Sequence, residues 1–151
     1  MDAGARSEGA GRVIEFLDHV AITVADVDRT IAFYERVLGA ELLHADLWRD
    51  GRMPVALLRL GGTRLSVHPA AAPASPHAER PTPGSADLCF RWAAPIETAV
   101  ALLEDAGVAV EVGPVPRPAN DGTRGQSVYF RDPDGNLLEL LSCSGAADAR
   151  R

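Results

Sequence analysis

Two apolar runs flank Asp132-Pro133-Asp134-Gly135-Asn136, and this is the most informative pattern in the chain. A proline with fixed φ, Asp and Asn side chains that bond their own backbone, and a permissive glycine together specify a tight turn. Residues 126–142 therefore predict a β-hairpin whose return strand covers 137–142. Along that strand Leu138 and Leu140 alternate with Leu137, Glu139 and Leu141. Glu139 is thus a carboxylate in a strand that is otherwise apolar on both faces, a placement that costs free energy unless the charge is paired or binds a metal. An ion pair with an arginine is the simplest alternative to a metal.

The same alternation predicts further elements upstream. Residues 15–24 read as a strand, with Val20, Ile22 and Val24 on one face and His19, Ala21 and Thr23 on the other. Asp26 suits a helix N-cap, Val27, Ile31, Tyr34 and Leu38 recur at helical spacing, and Gly39 ends the helix. Strands follow at 41–48 and 54–60, joined by an Asp-Gly turn, and Gly61-Gly62 leads into a strand at 64–68. There Ser66 and His68 share a face opposite Leu65 and Val67.

Residues 69–84 are rich in proline and alanine, lack periodicity, and read as a connector without ligands, which leaves His77 as a surface residue, as His44 is near a strand end. The pattern then restarts. A strand at 86–92 sets Leu88, Phe90 and Trp92 against Asp87, Cys89 and Arg91, and a helix opens at Pro95 and ends at Gly107. A strand at 108–112, a Pro/Gly-rich loop and the closing hairpin complete the chain.

The order is β-α-β-β-β twice. His19 precedes the helix-ending Gly39 by 20 residues, and Asp87 precedes Gly107 by 20, so His19 and Asp87 hold the same place in the two copies. His68 and Glu139 lie in the last strand of each copy. All four sit on the face opposite the large apolar side chains. Two imidazoles and two carboxylates on one lining form a ligand set for Zn, Ni, Mn or Fe(II). Singly, each is also the ordinary polar residue of a half-solvated sheet. The domain organisation expected is a disordered tail over 1–12, units at 13–68 and 85–142, the connector between them, and a tail over 143–151.

Composition narrows the function. A net charge of −6 and a pI near 5.1 argue against nucleic acid and against anionic membrane surfaces. Every basic side chain is arginine, which removes lysine Schiff-base chemistry. Two cysteines make no disulfide framework, and neither a membrane-length apolar run nor a signal-peptide core is present, so a cytoplasmic protein is expected.

The stretches LDHVAITVADVDRTIAFYERVLG, LSVHPA, PTPGSADLCF, GPVPR and SVYFRDPDGNLLEL together resemble the vicinal oxygen chelate superfamily. That group includes glyoxalase I, bleomycin- and fosfomycin-resistance proteins, methylmalonyl-CoA epimerase and extradiol dioxygenases. The chain is most similar to its small glyoxalase-domain members, often labelled virulence proteins in bacteria. The resemblance implies an α+β fold of two βαβββ modules whose curved mixed sheets enclose a metal cleft. It implies a divalent metal ion on His19, His68 and Glu139, with Asp87 in the fourth place where glyoxalase I carries histidine. It also implies a small-molecule substrate and a homodimer.

Three functions are compatible with these residues. The first is a lyase or isomerase in which the metal polarises a carbonyl and Glu139 or Asp87 moves the proton. The second is an Fe(II) extradiol-type dioxygenase using a two-His-one-carboxylate set. The third is a protein that binds an antibiotic or metabolite without turnover. Arg91, Tyr129 and Arg117 are the candidate substrate contacts, since an arginine can hold a carboxylate through two parallel hydrogen bonds. Pairing of Arg91 with Asp87 or Glu139 is the competing arrangement.

Overall fold

The computed structural model describes residues 11 and 13–145, so most of both expected tails lies outside the described residues. The elements are β1 (His19–Val24), α1 (Val27–Leu38), β2 (Glu41–Leu43), α2 (Ala45–Arg49), β3 (Ala56–Leu60), β4 (Thr63–Pro69), β5 (Asp87–Trp92), α3 (Ile96–Asp105), β6 (Val112–Pro118), β7 (Arg124–Arg131) and β8 (Leu137–Ser142). The strands form two four-stranded mixed sheets, ordered β1-β4-β3-β2 and β5-β8-β7-β6. In each, the first and last strands of the unit run parallel and the other neighbours run antiparallel. This is the α+β architecture of two βαβββ units, with neither sheet closed into a barrel. No helix among the described residues is long and apolar enough to cross a membrane.

Local chemistry accounts for the helices. Asp26 Oδ1 accepts the Arg29 backbone N–H at 3.0 Å at the start of α1. Gly39 ends that helix in the left-handed region, at φ 65°, where any other residue would meet its own Cβ. The stripe Val27, Ile31, Tyr34 and Val37 is buried, as are Ile96, Ala99 and Leu103 of α3. Both helices lie on the apolar faces of their sheets. Leu58, Leu65 and Val67 of the first sheet and Val128, Phe130, Leu138 and Leu140 of the second join them in one continuous core.

Several elements differ from the sequence expectation, each for an identifiable reason. The strand expected over 15–24 starts only at His19, because β4 offers its first partner there, Arg64 opposite His19. Val13, Ile14, Phe16 and Leu17 are left exposed. The strand expected over 41–48 stops at Leu43. His44 adopts φ 51°, and residues 45–49 coil into α2, which the Trp48 Nε1–H holds against Asp28 of α1 at 3.1 Å. A short apolar run cannot distinguish strand from helix by period alone. Finally, residues 108–112 were expected to form a strand and 113–118 a loop, but the ladder runs from Val112 to Pro118. The prolines that suggested a loop are tolerated because β6 is an outer strand with no neighbour on one side.

The two units are joined through the turn that dominates the sequence. Tyr34 of α1, fully buried, donates its hydroxyl to Asp132 Oδ2 at 2.9 Å. The same carboxylate accepts from Asn136 Nδ2 at 2.7 Å and from the backbone N–H of Asp134 and Asn136 at 2.9 and 3.0 Å. Asp134 in turn accepts the Ala25 N–H at 3.0 Å, and Asn136 Oδ1 accepts the Ala86 N–H at 2.9 Å. Gly84, at φ 80°, lies so close that a Cβ there would stand 2.6 Å from the Asp134 carbonyl oxygen. The end of the connector is therefore docked on the turn.

Burial, and then the charge of Asp132, push the Tyr34 phenol far above the ordinary tyrosine pKa. A phenol kept neutral by the fold stabilises it below the pKa of the unfolded chain, about 10, and ceases to do so as the pH rises past that value. Tyr34→Phe should cost about 1–3 kcal/mol in urea unfolding at pH 7, the cost of leaving one buried acceptor short of a donor. The same variant should flatten the loss of stability measured above pH 10.

Candidate functional site

On the first sheet the polar face carries His19, Ala21 and Thr23 of β1 beside Arg64, Ser66 and His68 of β4. His19 is largely exposed, and its Nδ1–H donates to Asp18 Oδ1 at 2.7 Å, so Nε2 is the nitrogen left to offer a lone pair. A carboxylate behind an imidazole in this way is the usual support of a metal-binding histidine. The hydrogen bond to His19 holds the Asp18 carboxyl below its ordinary range. His68 Nδ1 is buried without a hydrogen-bond partner. Burial, followed by the nearby charge of His77, lowers the pKa of His68 and so favours its neutral form. The connector thus brings His77 close enough to act on His68, although His77 itself is exposed and donates through Nδ1–H to the Ala78 carbonyl at 2.8 Å.

On the second sheet Glu139 of β8 stands between Cys89 of β5 and Tyr129 of β7 in direct register. Glu139 is half-buried, while Asp87, Cys89 and Arg91 of β5 are exposed on the same face. A hollow of about 590 Å³ opens there, lined chiefly by Cys89, Arg91, Arg117, Asn120, Tyr129 and Glu139. Arg117 donates from Nε to the Tyr129 hydroxyl at 2.9 Å, with its guanidinium carbon 5.5 Å from the ring centre. Arg91 pairs with neither Asp87 nor Glu139. Its only ion pair among the described residues is a long one, 3.8 Å, to the exposed Asp121. A second hollow of about 700 Å³ lies by the start of α3 and the far ends of β6 and β7; of the sequence candidates it contains only Arg117.

The register decides which candidates meet. His19 is opposite Arg64 and Asp87 is opposite Leu137, so the repeat counterpart of Glu139 is Ser66, and that of Leu141 is His68. His68 stands opposite Thr23, four residues along from His19, or about 13 Å at 3.3 Å per residue. Side chains standing upright on one sheet do not converge over that distance. Asp87 and Glu139, by contrast, are two residues apart on adjacent strands of one face. Glu139, Arg91 and Tyr129, which share strand parity, line one hollow, and Arg117, expected in a loop, lines it from β6.

By chemical type the donors are ones a divalent cation accepts: an imidazole oriented by Asp18, and two neighbouring carboxylates, neither with an ion-pair partner among the described residues. Within one chain, however, no group of three His, Cys, Asp or Glu side chains among the described residues is arranged to hold a metal. Asp18, Cys89 and Asn120 were not singled out from the sequence. The Asp-His dipeptide was the available signal for Asp18; Asn120 sits in a loop whose fold no pattern predicts.

Residues 16–140 match the Glyoxalase/Bleomycin resistance protein/Dioxygenase superfamily. The chain is 40% identical over 133 residues to the virulence protein STM3117 of Salmonella typhimurium, covering 88% of each chain. The crystal structure of that protein aligns with a TM-score of 0.76 at 38% identity, covering 87% of this chain and 98% of that one. Glyoxalase domain-containing protein RDO1 of Mycosarcoma maydis is 38% identical over 133 residues, 88% of this chain and 71% of its own length. A structure from the mobile metagenome of V. Pseudocholerae, VPC_CASS1, aligns with a TM-score of 0.79 at 36% identity, over 89% of this chain and 98% of that one.

Although Cys89 is exposed as a residue, partial desolvation of its sulfur against the sheet, and then the negative charge of Glu139, push the thiol up to about 12. In a Cys143→Ser background, Cys89 should therefore react with iodoacetamide at pH 8 far more slowly than a free thiol, because the thiolate is the nucleophile. Glu139→Gln should speed that reaction. An unchanged rate would separate the two side chains.

Proposed function

Because the chain belongs to the Glyoxalase/Bleomycin resistance protein/Dioxygenase superfamily, we propose that it is a metal-dependent enzyme of the lyase or isomerase kind. Its substrate is a small molecule that presents two neighbouring oxygens and undergoes a proton transfer. The observation that carries this reading is Glu139: a half-buried carboxylate, free of any arginine partner among the described residues, in the floor of a hollow large enough for a small molecule. A carboxylate kept in that state suits a cation or a proton.

In this reading His19, Glu139 and Asp87 face the ion, and His68 is tested as a further ligand. A divalent cation bound there supplies Lewis acidity to a substrate oxygen. Glu139 holds its position through the rigid centre of β8, with Leu138 and Leu140 locked in the core on the opposite face. Asp87 is the exposed carboxylate at the head of β5, shorter by one methylene, and acts as the base that takes the proton. Zn, Ni and Mn suit an imidazole and a carboxylate, which leaves Asp87 free for the proton. The dioxygenase alternative needs two histidines on one iron, and the separation of His19 from His68 weighs against it.

The site is completed by a second copy of the chain. Both polar faces are turned away from the shared core, and one chain alone brings no trio of ligands together among its described residues. The first sheet of one copy then faces the second sheet of another, with His19 from one and Glu139 from the other.

His19→Ala and Glu139→Ala should each stay folded and lose the metal found by elemental analysis of tag-free protein. Mixing the two deficient proteins should restore metal, because a mixed dimer holds one site with both side chains intact. No recovery on mixing would put the ligands in one chain; absence of metal from the wild type would make this a binding protein.

Asp87→Asn should retain the metal and lose most turnover, since an amide cannot accept the proton. Loss of metal instead would make Asp87 a ligand in its own right. Metal retained in His68→Ala would leave His68 outside the ligand set.

A further inference from the structure

We infer that the hollow between Arg91 and Arg117 seats an acidic group of the substrate, a carboxylate or a compact oxyanion such as a phosphonate, next to the oxygens addressed by Glu139. The inference rests on the reading of this face as the substrate site and adds a substrate class: small organic acids.

Arg117 carries the argument. Its Nε donates to the Tyr129 hydroxyl and its Nη1 to the Pro116 carbonyl at 2.9 Å, both neutral acceptors. No carboxylate pairs with Arg117 among the described residues. Three of its five N–H groups are therefore unspent, in a side chain already held in place by a hydrogen bond and by the face of an aromatic ring. Such a fixed fork is suited to an oxyanion bound through two parallel hydrogen bonds, and little rotamer freedom remains to be lost on binding.

Arg91, across the hollow, is held only by Asp121 at 3.8 Å, with both side chains about half exposed or more. A pair so long and so well solvated is weak, and a ligand oxyanion can take over the cation. The loop between the two arginines is braced: Ala119 exchanges backbone hydrogen bonds with Thr123 and Gly122, and Asp121 caps the Thr123 N–H at 2.9 Å. Asn120 on that loop adds an amide to the lining. Against these donors the hollow itself contains one carboxylate, Glu139, and its charge is the one assigned to the cation. An acidic substrate thus finds two arginines and the Glu139 carboxylate in the lining of one hollow.

The test is titration of the full-length, as-purified protein with methylphosphonate and with acetate, followed by ligand NMR line broadening or calorimetry. Elemental analysis is run on the same samples. Saturable binding is expected for the wild type. Arg117→Gln should weaken it about tenfold or more, the loss of one charge-assisted pair, and Arg91→Gln should weaken it as well. Arg124→Gln, which removes a cation from the other hollow, should leave it unchanged. Unfolding temperature and metal content should be the same in all four proteins. Binding unaltered in Arg117→Gln, an equal loss in Arg124→Gln, or no binding by the wild type would each overturn the inference. Arginine-dependent binding by a wild type without metal would sink the metal reading alone.

Discussion

One buried carboxylate holds the two halves of this protein in a common frame. Asp132 gathers the Tyr34 hydroxyl from the first unit and the Asn136 side chain and two backbone N–H groups from the turn of the second. An isolated anion in that position would cost several kcal/mol; surrounded by donors, it becomes the point from which distances are set. Asp134 and Asn136 extend the same turn to Ala25, just after β1, and to Ala86, just before β5. The strands that start with His19 and Asp87 are therefore anchored to the turn from which Glu139 departs on β8. The turn thus adds polar ties between the two sheets to the apolar core that they share.

The relation between core and site follows. Both sheets spend their apolar faces on the helices and on each other, and this uses up the interior. What remains for chemistry is the outer face of each sheet, where alternate residues of β1, β4, β5 and β8 are free to be polar. The carboxylate of Glu139 is tolerated there because its neighbours along the strand, Leu138 and Leu140, supply the burial that fixes β8. The position of the candidate site is thus a by-product of period-two alternation.

Much of this was legible in the sequence, for physical reasons that differ from element to element. The cap at Asp26, the stop at Gly39 and the Asp-Pro-Asp-Gly-Asn turn are local chemistry, complete within a few residues, and they appear as expected. The equal spacing from His19 to Gly39 and from Asp87 to Gly107 reported the repeat correctly, because both counts run along one strand and one helix. The step from repeat to ligand set was harder. It depended on the stagger between β1 and β4, which sequence does not encode locally, and the stagger makes Ser66, not His68, the counterpart of Glu139. Likewise β6 was hidden by its prolines, whose effect depends on whether a neighbour strand is present, and the Arg91–Asp121 pairing depended on the fold of a loop.

Those prolines have a consequence beyond their own strand. Pro116 and Pro118 alternate along the regular part of β6, so the backbone donors they lack belong to one side of it, and the opposite side is already laced to β7. The free margin of the second sheet is accordingly poor in donors over its Pro116–Pro118 end, which discourages a stray strand from pairing there. The corresponding margin of the first sheet, β2, is only three residues long and breaks into α2. Chains meeting at random are thus discouraged at two of the four margins, β2 and β6. The margins left without a proline are β1 and β5, the strands that begin with His19 and Asp87, so an incoming strand is offered these two edges before the others.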